Sequence, residues 1–224
     1  MKWDYEFDVV VIGSGNGALT SAICSHDGGA KTLVIEKSTQ FGGTSATSGG
    51  GVWIPNNRYA KAMNVDDSDQ DARDYINSVS PEGKIKDELV ETYLSEGPKM
   101  IDYLHENSQV KYRNLAHYPD YFPDNPGGKA GNRSMEPEPI KGTKLGDDLA
   151  KLREQHPQTA FTMGPINMNF TQVEGQLLLG ALPGWKSLFA KLFSEYVVDI
   201  PMSSKWGSKD RRVTVGNAGV AGQT

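Results

Sequence analysis

Gly13-Ser14-Gly15-Asn16-Gly17-Ala18 places small residues at the spacing G-x-G-x-x-[G/A]. These residue types suit one task, seating a pyrophosphate against the start of a helix. Gly13 permits a tight strand-to-helix turn, Gly15 keeps side chains off the phosphates, and Ala18 lets helix and strand pack closely. The open N–H groups and positive end of the helix then receive the phosphate charge. Such a site is completed about 20 residues on by an acid that binds the adenosine ribose hydroxyls. Glu36, followed by Lys37, stands at that distance. Gly17 and Ser14 lie inside the same turn and are candidates with it.

A second glycine-rich stretch, QFGGTSATSGGGVWIP from Gln40 to Pro55, follows at once. By composition it is a flexible Gly/Ser linker. Its position between a strand–helix–strand unit and the apolar Val52-Trp53-Ile54 favours a backbone surface lying along a ligand. Gly43, Gly49 and Gly50 allow close approach, while Thr44, Ser45 and Ser48 offer hydroxyl donors. An NAD domain continues into another strand–helix unit after its acid. The Gly/Ser stretch found here favours FAD instead.

The elements that must position these residues are legible on either side. Phe7 to Ile12, FDVVVI, reads as a strand buried on both faces of a parallel sheet. Ala18, Leu19, Ala22 and Ile23 recur at helical spacing until Gly28-Gly29. KTLVIEK is a second buried strand, so the segment is a right-handed βαβ unit. DSDQDARDYINSV predicts a helix capped by Ser68 or Asp69. KDELVETYLSEGPKMIDYLHEN predicts one or two helices, kinked or broken at Gly97-Pro98. One apolar face comes from Leu89, Tyr93 and Leu94, and a second from Met100, Ile101, Tyr103 and Leu104. Residues 117–146 are rich in Pro and Gly and carry Tyr118, Tyr121 and Phe122, which predicts an ordered but irregular loop. DDLAKLREQH is expected to form a short polar helix. The chain turns apolar again from Phe161 to Trp206. There Trp185, Leu188, Phe189, Leu192, Phe193 and Tyr196 share one side of a helix starting near Pro183. RRVTVGNAGVAGQT reads as a strand or turn leading into a helix. The expected division is residues 1–160, an apolar insertion at 161–208, and a return at 209–224.

Composition bounds the function. The 224 residues carry a net charge of −5, which argues against nucleic acid as a partner. One cysteine, Cys24, excludes an internal disulfide and fits a cytoplasmic setting. Neither a signal peptide nor a membrane span is evident. The four histidines lack metal-ligand spacing, so no metal site is expected.

Three segments, DVVVIGSGNGALTSAI, LVIEKSTQFGGTSATSGGGVWIP and YPDYFPDNPGG…GNRSMEP, resemble the flavoprotein superfamily of fumarate reductases and 3-ketosteroid dehydrogenases. The last points to the 3-ketosteroid Δ1-dehydrogenase branch. The resemblance implies an α/β fold, a Rossmann-like FAD-binding domain with helical excursions, ending before the family's catalytic domain. It implies FAD as cofactor and a flat 3-ketosteroid as substrate, whose C1–C2 bond is oxidised by proton abstraction and hydride transfer to flavin N5. An external electron acceptor follows. Tyr121, in the PDY motif, matches the tyrosine that assists proton transfer. The family's base, its ketone-binding groups and the rest of its flavin domain have no counterpart in these residues, so this chain alone is expected to lack a complete site. Two other readings stand beside this one: a fumarate-reductase-like enzyme acting on a dicarboxylate, and a non-catalytic module that needs a partner, with Arg211 and Arg212 at a broken domain edge. For residues 161–206, the apolar helix with Lys186 and Lys191 suits peripheral membrane contact or a substrate entrance.

Overall fold

The computed structural model describes residues 3–163, 166–202 and 210–224. In chain order the first elements are β1 (Val9–Ile12), α1 (Asn16–Asp27), β2 (Thr32–Ile35), α2 (Gly43–Thr47), β3 (Val52–Trp53), α3 (Arg58–Ala62), α4 (Asp69–Val79) and α5 (Asp87–Asn107). They are followed by β4 (Tyr112–Asn114), β5 (Ser134–Pro137), β6 (Ile140–Lys141), β7 (Ala160–Met163), β8 (Ile166–Asn169), α6 (Gln172–Leu179), α7 (Trp185–Met202), β9 (Arg212–Val213) and α8 (Val215–Ala221). The chain divides into two compact units, Met1–Gly50 with Pro137–Thr224, and Gly51–Glu136. Segments 161–163 and 166–202 share this first unit with the glycine motifs.

In the first unit, β1 and β2 pair in parallel, with Val9 opposite Thr32 and Ile12 opposite Ile35. Helix α1 packs on the pair and buries Leu19 and Ala22. It ends where Gly28 N–H donates to the Cys24 carbonyl at 3.0 Å. The strands are not buried on both faces as the apolar run suggested. Val10, Ile12 and Ile35 are exposed, Ile12 by 82%. Among the described residues the sheet has these two strands, and α1 covers one side of it. The core of the unit gathers Leu19, Ala46, Leu149, Leu152, Val213 and Val220 from segments far apart in sequence.

DDLAKLREQH does not form the polar helix expected. Gly142–Lys151 is a 3-10 segment interrupted at Gly146 (φ 57°, ψ −129°), and Leu149 and Leu152 turn into the core. β7 and β8 form an antiparallel pair. Helix α6 starts at a reciprocal cap, with Thr171 and Glu174 each bonding the other's backbone. On α7, Leu192 and Tyr196 are buried and Leu188 and Phe189 half-buried, so the predicted apolar face packs largely inward. No described helix is long and apolar enough to cross a membrane. Trp206 and its neighbours at 203–209 lie outside the described residues.

In the second unit, β5 lies between β3 and β4. Ser68 caps α4, its Oγ accepting from Asp71 N–H at 3.0 Å. Helix α5 is one continuous element of 21 residues with Pro98 inside it. Its buried residues are Val90, Leu94, Gly97, Ile101 and Leu104, a single stripe that replaces the two faces expected. Leu89 and Tyr93 are exposed. The stripe crosses the Gly-Pro pair because Gly97 leaves room for Ile54, whose Cδ1 lies 3.2 Å from where a Cβ would stand. Pro98 removes one helical N–H, which continued apolar burial on either side offsets.

Candidate cofactor site

The first glycine turn is held by one backbone bond, from Gly13 N–H to the Ile35 carbonyl at 2.7 Å. Gly13 has φ +96°, a conformation open to glycine and strained for other residues. Gly15 is the extended N-cap of α1 and brings no side-chain cap. The first-turn amides, which have no intrahelical partner, are therefore left to an incoming group, with one exception. Ser45 Oγ accepts from Asn16 N–H at 3.0 Å and would lie 3.1 Å from a Cβ on Gly15. A Cβ built on Gly13, Gly17 or Gly43 meets nothing within 4 Å. Ala18 is half-buried on the α1 face. Asn16 Oδ1 is buried with no hydrogen-bond partner, its side chain set against Gly219 of α8.

Ser14 joins the turn to the rest of the site. Its buried hydroxyl donates to Glu36 Oε2 at 2.5 Å and accepts from Gly42 N–H at 2.9 Å. Glu36 Oε1 accepts from Ser38 N–H at 3.0 Å. The hydrogen bond from Ser14 is the main reason that the Glu36 carboxyl is held below its ordinary value, with Ser38 adding to it. An ionised carboxylate at the end of β2 is the acceptor that ribose hydroxyls require. Lys37 is exposed beside it.

The second glycine stretch is folded, not a linker. It carries α2, with Thr44 exposed and Ser45 directed at the start of α1. Ser48 is exposed, and its hydroxyl donates to the Ser45 carbonyl at 2.8 Å and accepts from Gly50 N–H at 3.1 Å, closing the turn. Gly49 is tied at its carbonyl by Gln172 Nε2 at 2.8 Å.

Helix α8 supports this stretch from behind. Gly216 N–H donates to the Ser48 carbonyl at 3.1 Å, and Asn217 Nδ2 to the Ala46 carbonyl at 2.6 Å. Gly50 crosses it closely enough that a Cβ there would sit 2.5 Å from the Val215 carbonyl carbon. Asn16, Gln172 and Asn217 were missed in the sequence. The small residues of GNAGVAG were the one signal that a helix here makes close backbone contact. Arg211 and Arg212 do not lie at an open edge. Arg211 is buried and donates to the Asp199 carbonyl at 2.6 Å, while Arg212 grips Glu174 with two bonds of 2.6 and 2.9 Å.

These features fit a dinucleotide cofactor: an uncapped helix start, open space over three glycines, and an ionised acid. Among the described residues, no group of His, Cys, Asp or Glu could hold a metal ion.

Tyr121 belongs to the second unit and is 81% exposed, so it does not pack into the aromatic loop. Its neighbour Tyr118 is half-buried. Burial first, and Tyr121 next, push the Tyr118 phenol up. Tyr112 is a core phenol, raised to about 12 by burial. His105 pairs with Tyr59, Oη to Nδ1 at 2.8 Å.

Residues 8–192 match the family model described as FAD binding domain. The chain is 39% identical over 163 residues to a 3-oxosteroid 1-dehydrogenase of Mycobacterium tuberculosis, covering 73% of this chain and 28% of that protein. It is 33% identical over 219 residues to a 3-oxosteroid 1-dehydrogenase of Comamonas testosteroni, covering 98% of this chain and 37% of that protein. Among solved structures it resembles the 3-ketosteroid delta1-dehydrogenase of Sterolibacterium denitrificans in complex with 1,4-androstadiene-3,17-dione. That match has a TM-score of 0.89 and 38% identity, over 97% of this chain and 38% of the other. The chain thus spans 28% to 38% of the length of these relatives. With most of its residues inside the matched region, the chain belongs to the FAD-binding domain family of flavoproteins.

Proposed function

We propose that the chain is the flavin-binding part of a 3-ketosteroid Δ1-dehydrogenase, which converts the C1–C2 single bond of a 3-ketosteroid into a double bond. The observation that carries this reading is its likeness, over nearly the whole chain, to a dehydrogenase holding a steroid dienone. In the reaction a proton leaves C2, a hydride leaves C1, and the two carbons form the double bond. FAD, when bound, would supply the hydride acceptor for C1 and the path for two electrons to an external acceptor. The residues of this chain bind and orient. The start of α1 with Gly13, Gly15, Gly17 and Ala18 would hold the pyrophosphate. Glu36 would take the ribose hydroxyls, with Lys37 alongside. Gly43, Thr44 and Ser45 would lie along the cofactor, with Ser48, Gly49 and Gly50 shaping that stretch. Tyr121 would help move the proton from C2. This reading leaves the base and the hydrogen-bond donors that polarise the C3 ketone to the longer remainder that the relatives possess.

The test has two arms. The purified chain is titrated with FAD and followed by flavin absorbance. A chimera in which the chain replaces the matching part of the Sterolibacterium denitrificans enzyme is then assayed with 4-androstene-3,17-dione and an artificial acceptor. The chimera is expected to turn over, and Tyr121→Phe to lower its kcat by about 100-fold, the lower end for a proton-transfer group. A folded, flavin-loaded chimera that desaturates no ketosteroid refutes the proposal.

We also propose that α6 and α7 make a peripheral contact with a lipid surface. Support comes from the exposed Leu179 (82%), Leu182, Phe193, Val197 and Val198, with Lys186 and Lys191 on the same segment. Apolar residues flanked by lysines suit an interfacial helix. The pairing of Leu179→Ser with Val198→Ser is expected to reduce co-sedimentation with anionic liposomes. Unchanged partitioning refutes the contact.

A further inference from the structure

Behind the exposed Tyr121 the second unit buries a group of charges that the cofactor site does not use. Arg133 is 1% exposed and Asp120 is 5% exposed. The Arg133 guanidinium spends all three nitrogens on two acids. Nε and Nη2 go to Asp67 at 3.1 and 2.7 Å, and Nη1 goes to Asp120 Oδ2 at 2.8 Å. Its plane lies near two rings, 5.5 Å from the centroid of Trp53 and 5.8 Å from that of Tyr75. Trp53 contributes the remaining bond, from Nε1–H to Asp120 Oδ1 at 2.6 Å.

Asp120 therefore has both carboxylate oxygens occupied, one by the buried Arg133 and the other by the half-buried Trp53. It is also clamped at the backbone. Its N–H donates to the Lys129 carbonyl at 2.9 Å, and Lys129 N–H returns a bond to Oδ2 at 3.0 Å. On the far side of Tyr121, Phe122 N–H donates to the Tyr75 hydroxyl at 3.3 Å. The residue between these two anchors has its own side chain almost wholly in solvent. A free surface tyrosine needs no such foundation. Apolar residues of similar volume hold a loop as well as a buried ion pair does, and often better. What a bidentate, fully bonded guanidinium adds is a fixed direction.

We propose that Trp53, Asp67, Asp120 and Arg133 form a positioning device that fixes the place from which the Tyr121 phenol meets its substrate. The charges set the Asp120 backbone, and the backbone aims the next side chain. None of the four touches the reacting atoms.

The role of Tyr121 in moving a proton is taken from the function proposed above, and the two proposals fail separately. The proton role fails if Tyr121→Phe leaves kcat of the chimera unchanged. Positioning is tested on the chain itself, with 3-fluorotyrosine placed at Tyr121 alone and read by fluorine NMR. In the parent protein we expect one resonance, displaced from that of the unfolded chain, that persists until global melting. Trp53→Phe removes a single N–H donor and keeps an aromatic ring. It should shift or split the Tyr121 signal while a second label at Tyr5, outside the loop, stays unmoved. A purely structural network would lower the melting temperature of Trp53→Phe and leave the Tyr121 signal of the folded protein in place, which overturns the proposal. Positioning is equally overturned if the parent's Tyr121 resonance already sits at the unfolded position far below melting.

Discussion

Gly216 offers a direct test of how the cofactor-facing stretch is held. A Cβ on this residue would stand 1.9 Å from the Ser45 carbonyl oxygen and 2.7 Å from the Ser48 carbonyl oxygen. Real Cβ atoms do not approach closer than 3.0 Å, so Gly216→Ala must part the two backbones by 3.0 − 1.9 = 1.1 Å. Neither neighbour is the end of a flexible side chain. Overpacking of a tight site costs about 1–3 kcal/mol, and backbone on both sides puts this case at the top of that range. The same movement lengthens the bonds from Gly216 N–H and Asn217 Nδ2 to α2 and the turn after it. Each of these is worth about 1 kcal/mol. The sum is about 4–5 kcal/mol. For a chain of this size that corresponds to a fall in Tm of roughly 8–20 °C. The stretch that moves carries Ser45, so the FAD dissociation constant should rise at least about tenfold, or 1.4 kcal/mol. Thermal melting and flavin titration measure the two effects. Gly17→Ala is the control for stability, because its Cβ meets nothing within 4 Å and alanine favours the helix. If Gly216→Ala melts within about 2 °C of the parent and binds FAD equally well, α8 does not support the cofactor stretch.

Three further outcomes are expected. Ser14→Ala removes the hydroxyl shared by Glu36 and the Gly42 amide. Leaving that buried amide unpaired should cost about 1–3 kcal/mol by denaturant unfolding, and flavin affinity should fall with it. Arg133→Met leaves Asp67 and Asp120 buried without their cation, and should destabilise by about 3–5 kcal/mol in the same assay. His105 is kept neutral in the fold, first by burial and then by Arg58 and Lys111, so its folded pKa lies below the unfolded value. Between the two values the unfolded state binds more protons, and stability falls as pH drops. The contribution is full above about 6.5 and is lost as pH falls through the folded pKa. Melting curves from neutral to acidic pH should show this slope, and His105→Gln should flatten it.

The parts of the fold that were legible in the sequence are those encoded locally. The β1–α1–β2 unit reads directly, because apolar runs, helical spacing and glycine stops all lie within about 30 residues of each other. Ser68 declares its helix in the same way. What escaped was set by distant partners. Asn217 meets Ala46 across 171 residues, and nothing near either residue announces the contact. Gly97-Pro98 has the signature of a break, and the packing of Ile54 against Gly97 keeps the helix whole. The apolar run in β1 misled in the opposite sense. It encodes a strand meant for cover on both faces, and the described residues cover one.

That half-covered pair has a consequence for how the protein behaves in bulk. Among the described residues β1 and β2 are both outer strands of a two-stranded sheet, and an outer strand presents a row of amides and carbonyls ready to pair with another chain. Apolar Val10 and Ile12 lie on β1 as well. Two copies of this chain, handled by itself, can therefore meet edge to edge, and their meeting grows with the square of concentration. A flavin titration run at high protein concentration reads that association together with cofactor binding. Dilution, followed by sedimentation velocity, separates the two.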